Sequence, residues 1–112
     1  NRIVQILDNL IGNAIKYTLK GSIIISHNIE KDTLKTIIRD TGIGMSPEDR
    51  RRLFEKFYRI QTKETANIPG TGLGLWITRE IVRRMNGQIY VDSMKGVGSQ
   101  FTIVFPIIIE KN

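Results

Sequence analysis

Two short turns limit what this chain can fold into more than any other feature of its sequence. β-like runs at residues 22–29 and 33–39 are separated only by the polar Glu30-Lys31-Asp32. Near the end, runs at 88–93 and 99–108 are linked through Lys95-Gly96-Val97-Gly98. Strands joined this closely pair antiparallel, because a parallel pair needs a far longer crossover. Helical patterns surround the two hairpins. Residues 2–18 carry apolar side chains at Ile3, Ile6, Leu7, Leu10, Ile11, Ala14, Ile15 and Tyr17, a helical period that Lys20-Gly21 then ends. Ser46-Pro47-Glu48-Asp49 supplies an N-cap, a proline and two acids for a helix expected to reach about Tyr58. A third helix is expected from about Gly72 to Met85, ended by Asn86-Gly87. Residues 60–71 are polar, contain Pro69 and Gly70 and show no period, so they read as a mobile loop. The order α-β-β-α-loop-α-β-β predicts helices packed on one face of a mainly antiparallel sheet.

With 112 residues there is room for one domain around one core. The first residues already run in a helical pattern, which reads as a piece cut from something longer. Without cysteine there are no disulfides and no thiol chemistry, which fits a reducing compartment, and a lone histidine argues against structural zinc. No apolar run is long enough to span a bilayer, and no signal-peptide pattern is present. A net charge of +6 points to an anionic partner: nucleotide phosphates, nucleic acid or an acidic protein face.

Three groups of residues carry chemistry. On the first helix Asn9, Asn13 and Lys16 share one edge, opposite the apolar arc. A carboxamide oxygen is a hard ligand suited to Mg²⁺, and the lysine would neutralise phosphate; asparagines beside a core are also simply tolerated. Asp40-Thr41-Gly42-Ile43-Gly44 follows a strand. Its carboxylate only accepts hydrogen bonds, so it would choose adenine, with an NH₂ at its 6-position, over guanine; the commoner meaning of Asp-x-Gly is an Asx turn. Its glycines would let a planar ligand approach. Gly70-Thr71-Gly72-Leu73-Gly74-Leu75 runs into a helix and can hold an anion on free N–H groups and the helix dipole. No Gly-Lys-Ser/Thr follows, so it is not a P-loop, and the spacing is not the dinucleotide fingerprint. Phe54-Glu55-Lys56-Phe57-Tyr58-Arg59 reads either as core anchors or as the hinge of the following loop, from which Arg59 or Lys56 would reach the phosphates.

In this order the motifs resemble the catalytic ATP-binding domain of sensor histidine kinases, within the group shared with gyrase, Hsp90 and MutL. The resemblance covers essentially the whole chain. Residues 9–18 look like the N box, 40–44 the G1 box, 54–59 the F box, 70–75 the G2 box and 96–101 the late glycine motif. It implies a Bergerat-type α/β (α+β) two-layer sandwich with a mixed, mainly antiparallel sheet. Residues 1–112 would be one ATP-binding domain without its N-terminal strands, and its ATP lid would span about 45–71. It implies Asn13 as the Mg²⁺ ligand, with Asn9 supporting the metal–phosphate site. Lys16 and Tyr17 would face the nucleotide, Asp40 would accept from the adenine amino group, and Gly42 and Gly44 would shape the base pocket. Gly70, Thr71, Gly72, Leu73 and Gly74 would flank the phosphates, with Asn9, Lys16 and Arg59 as candidates for transition-state contacts.

The implied activity is transfer of the γ-phosphoryl group of ATP–Mg²⁺ to a histidine on a separate dimerisation and phosphoacceptor domain of the same protein. A response regulator would act downstream, in the cytoplasm, whether or not the parent protein is membrane-anchored. No nucleic acid is expected as a partner, since no base-reading motif accompanies the arginines, and this segment should not touch the membrane. The alternative is an ATP-driven switch or ATPase of the same superfamily. The ATPase relatives carry a glutamate base one turn before the metal-binding asparagine; here Asn9 stands there and cannot act as a base. Poor hydrolysis is therefore expected. His27 lies in a β-run without an acidic neighbour, so it does not read as a phosphoacceptor. Two residues depart from the family pattern. Pro69 replaces a common glycine, which would stiffen the end of the lid. Trp76 occupies a usually small site outside the apolar arc of its helix, either as a partner contact or packed on the lid.

Overall fold

The computed structural model describes residues 2–60, 70 and 72–107. Its elements are α1 (Arg2–Tyr17), β1 (Ile23–Glu30), β2 (Thr33–Asp40), α2 (Pro47–Arg52), α3 (Gly74–Arg84), β3 (Gln88–Met94) and β4 (Gly98–Pro106). The strands form one sheet in the order β1-β2-β4-β3, with every described pairing antiparallel. Both expected hairpins are present. β4 also pairs with β2, setting Asp40 opposite Ser99, so the end of the first hairpin meets the turn of the second.

One face of the sheet supplies Ile38, Phe101, Ile103 and Phe105, and the helices answer with Ile6, Leu10, Ala14, Ile81 and Val82, all buried. Each Ile, Leu, Val or Phe side chain among them taken from water contributes about 1.5–3 kcal/mol. On α1 the fully buried line is Ile6, Leu10 and Ala14, spaced four apart, while Ile15 is exposed. The sequence arc is broader than the contact because α1 packs mainly against α3 and β2, leaving the edge strand β1 with most of its residues exposed.

Two helix boundaries differ from expectation. The second helix stops at Arg52 rather than Tyr58. Past Leu53 the chain turns, and Phe57 adopts a left-handed φ of 68° and donates its N–H to Gly72 O at 2.9 Å. A continuous helix could not make that long-range link. For the same reason α3 begins at Gly74: Gly72 has φ 79°, outside the helical region. Its far end follows the sequence signal. Asn86 takes φ 60°, Gly87 N–H reaches Val82 O at 2.9 Å and Asn86 N–H reaches Arg83 O at 3.0 Å, a Schellman closure. Ser46 caps α2 as expected, its Oγ accepting from Asp49 N at 3.1 Å. The loop expected at 60–71 lies, apart from residues 60 and 70, outside the described residues. No described helix is long and apolar enough to cross a membrane.

Candidate functional site

A cavity of about 330 Å³ opens between α1, the end of β2 and the chain entering α3. α1 brings Asn13, Lys16 and Tyr17 to its wall, β2 brings Asp40, the loops bring Gly44, Arg59, Gly70 and Gly72, and the start of α3 brings Gly74. Residues from four separate motifs thus meet in one place. Of the remaining expected residues, Gly42 lines an adjoining cavity beyond Gly44, Asn9 and Leu73 are off both walls, and Thr71 lies outside the described residues.

Asp40 is 6% exposed at the end of β2. Its Oδ1 accepts from Gly42 N–H at 2.9 Å, so the Asx turn is present. Among the described residues nothing donates to the second oxygen, and it remains an acceptor for a ligand. Turn and recognition are compatible because a carboxylate has two oxygens. The nearest cause of glycine at 44 is the protein's own backbone rather than a ligand's approach. Gly44 has φ 67°, and a Cβ there would overlap the Met94 carbonyl. At Gly72 an added Cβ would lie 2.6 Å from Phe57 C, which is why the two motifs close on each other.

Apolar residues that the sequence did not single out complete the wall: Met45, Leu53, Leu75 and Phe101, with Ser99 as a further polar member. Phe101 and Leu53 read as plain core positions, and only their neighbours in space make them walls. Met45 N–H donates to Ser93 Oγ at 2.8 Å, and Ser93 Oγ lies 2.9 Å from Ser99 Oγ. Together these bonds fasten the loop after β2 to the second hairpin. Tyr58 also lines the cavity, and its hydroxyl donates to Asp49 Oδ1. That bond, helped by burial, pushes the phenol up to about 12, against the pull of the Arg52 guanidinium 4.4 Å over its ring.

The same wall carries cations. Lys16 is exposed and has no salt-bridge partner among the described residues, and Arg59 shares the wall with Gly70. Asn13, half-buried, adds a carboxamide to the wall. Asn9, one turn earlier, instead donates from Nδ2 to Thr78 Oγ1 at 3.1 Å. Trp76 is half-buried, with Lys56 Nζ 4.6 Å above its ring, so it packs against the Phe54–Arg59 motif. His27 is exposed on β1, its Nδ1 2.9 Å from Thr36 Oγ1.

Among proteins of known family, residues 1–109 match the model described as "Histidine kinase-, DNA gyrase B-, and HSP90-like ATPase". The chain is 42% identical over 106 residues to sensor histidine kinase RcsC of Escherichia coli, covering 95% of this chain and 11% of that protein. It is 38% identical over 109 residues to sensor histidine kinase WalK of Bacillus subtilis, covering 95% of this chain and 18% of that one. Among solved structures, mycobacterial sensor histidine kinase MprB superposes with a TM-score of 0.79 at 28% identity, over 94% of this chain and 70% of that one. Full-length ShkA in complex with AMPPNP gives the same TM-score, 0.79, at 34% identity, over 94% of this chain and 21% of that one.

Proposed function

The chain belongs to the histidine kinase-, DNA gyrase B- and HSP90-like ATPase family, and from that premise we propose that its cavity binds ATP with Mg²⁺ and presents the γ-phosphoryl group to a histidine on a separate phosphoacceptor domain. One observation carries the reading. The wall of a single cavity brings together a buried carboxylate, apolar side chains, cations and glycines, and we read it as two ends, one around Asp40 and one around Lys16. An adenine fits the first end. Met45, Leu53 and Phe101 would cover its faces, and the open oxygen of Asp40 would accept from its amino group. Triphosphate fits the second end, where Lys16 and Arg59 offer charge and Gly70, Gly72 and Gly74 leave backbone accessible. The chain spans only about a tenth to a fifth of the sensor kinases it matches, so activity and partners at that scale are part of this proposal.

The donors present suit Mg²⁺. Asn13 offers a neutral, hard oxygen, and this ion takes few protein ligands while bridging phosphates. When bound, it would neutralise charge building on the phosphoryl oxygens. Asn13 would hold it, Lys16 would orient the phosphates, and Asp40 would fix the base. Residues 45–71 would serve as the lid over the nucleotide. Asn9 has a carboxamide already engaged at Thr78 and takes no proton from water. Bound ATP is therefore kept for the partner's histidine, whose nitrogen would take the γ-phosphoryl group as ADP leaves with the β–γ bridging oxygen. A response regulator would receive the group next.

The test is calorimetric titration of the chain with a non-hydrolysable ATP analogue and Mg²⁺. Binding at one site per chain is expected, lost or much weakened in Asp40→Asn. Equal binding by parent and variant would refute the assignment.

A further inference from the structure

Thr78 is fully buried although it carries a hydroxyl, and such a group has to be satisfied inside the protein. A hydroxyl has one proton to donate. In Thr78 it goes back along its own helix to Gly74 O, at 2.8 Å. Towards α1 the oxygen can therefore only accept, and there it meets Asn9 Nδ2 at 3.1 Å. The planar carboxamide of Asn9 must bring its amino group to this seam and turn its oxygen away from it. Among the described residues nothing donates to that oxygen.

We infer that Thr78 is a positioning residue: its hydroxyl fixes which end of the Asn9 carboxamide is presented and ties that choice to the first turn of α3. The inference rests on the nucleotide reading above. Gly74, which takes the proton, lines the cavity, and so does Asn13, one turn beyond Asn9 on α1. The hydroxyl thus sits between the two elements that flank the phosphate end. Asn9 stands off the cavity wall, so its oxygen would act on Mg²⁺ through a bound water, and an inverted Asn9 would offer that water N–H donors in place of a lone pair. A valine at 78 would fill the same space without imposing either orientation.

The experiment compares binding of the ATP analogue with Mg²⁺ and with EDTA, using the whole chain. Thr78→Val should reduce the gain from Mg²⁺ roughly tenfold, the usual size for a residue that orients a metal-site group, and Thr78→Ser should restore most of it. Asn9→Ala should give the same reduction, and the two changes together should cost no more than either alone. Equal weakening with and without Mg²⁺, or additive losses, overturns the proposal. Asp40→Asn is measured alongside. If it binds like the parent, the nucleotide reading itself fails. If it weakens binding while Thr78→Val keeps the full Mg²⁺ gain, only the role of Thr78 fails. Should the valine variant not fold, the parent still decides. The Asn9 side-chain amide should exchange with solvent more slowly than that of exposed Asn86 by NMR, and equal rates contradict the proposal.

Discussion

At the Asp40 end of the cavity, chain is held by chain. Gly96 N–H reaches Ile43 O at 2.7 Å, Met45 N–H reaches Ser93 Oγ at 2.8 Å, and Gly44 lies against Met94. The Lys16 end differs: its lysine is exposed, Gly70 and Gly74 are exposed, and the link from Phe57 N–H to Gly72 O ties its loop to the rest. The first end takes its shape from the fold itself. The second presents an exposed lysine side chain and exposed glycine backbone. On the proposed function, base recognition would belong to the part held by the chain's own bonds and phosphate handling to the exposed part.

The sharpest way to break this contrast is a pair of alanines. Gly44→Ala forces a Cβ into the Met94 carbonyl at a positive φ and should cost about 3 kcal/mol of stability or prevent folding. Gly70→Ala meets nothing closer among the described residues than Arg59 Nε at 3.9 Å and should change stability by less than about 0.5 kcal/mol. Chemical denaturation of both variants checks this, and equal losses would dissolve the distinction between the two ends.

The same contrast explains what could be read beforehand. The hairpins were legible because short turns leave few ways to pair, and the caps of α2 and α3 because Ser46 and Asn86-Gly87 act locally. The early end of α2 was not, since it depends on Phe57 meeting Gly72. Nor was the engagement of Asn9, whose partner stands 69 positions away. Asn13, Lys16 and Asp40 stood out in the sequence because their chemistry is odd for core or surface, and in the structure all three line one cavity. Met45, Leu53 and Phe101 were not, because an apolar wall and an apolar core look alike in sequence.

Smaller effects should follow the division. Lys16→Met should weaken the ATP analogue about tenfold at low salt, an effect that fades as salt rises, while adenosine binding should hardly change. Loss of adenosine binding would place Lys16 at the wrong end. The least effect is expected at Tyr58. Its folded pKa of about 12 exceeds the ordinary value of 10.0. Its contribution is thus fully present below pH 10 and is lost as pH rises through about 12. Tyr58→Phe should remove that part of the alkaline slope in thermal melts, and an unchanged slope would mean that the bond to Asp49 contributes nothing.

The central claim is that Asp40 reads an adenine from a rigid wall, and affinities for ATP and GTP analogues in the parent and in Asp40→Asn test it most directly. The parent should prefer the adenine nucleotide by about 100-fold or more, since a buried acceptor facing the guanine oxo group is left unpaired. Asp40→Asn can donate as well as accept, so most of that preference should disappear. A parent that binds both nucleotides alike, or a variant that keeps the full preference, would contradict the account.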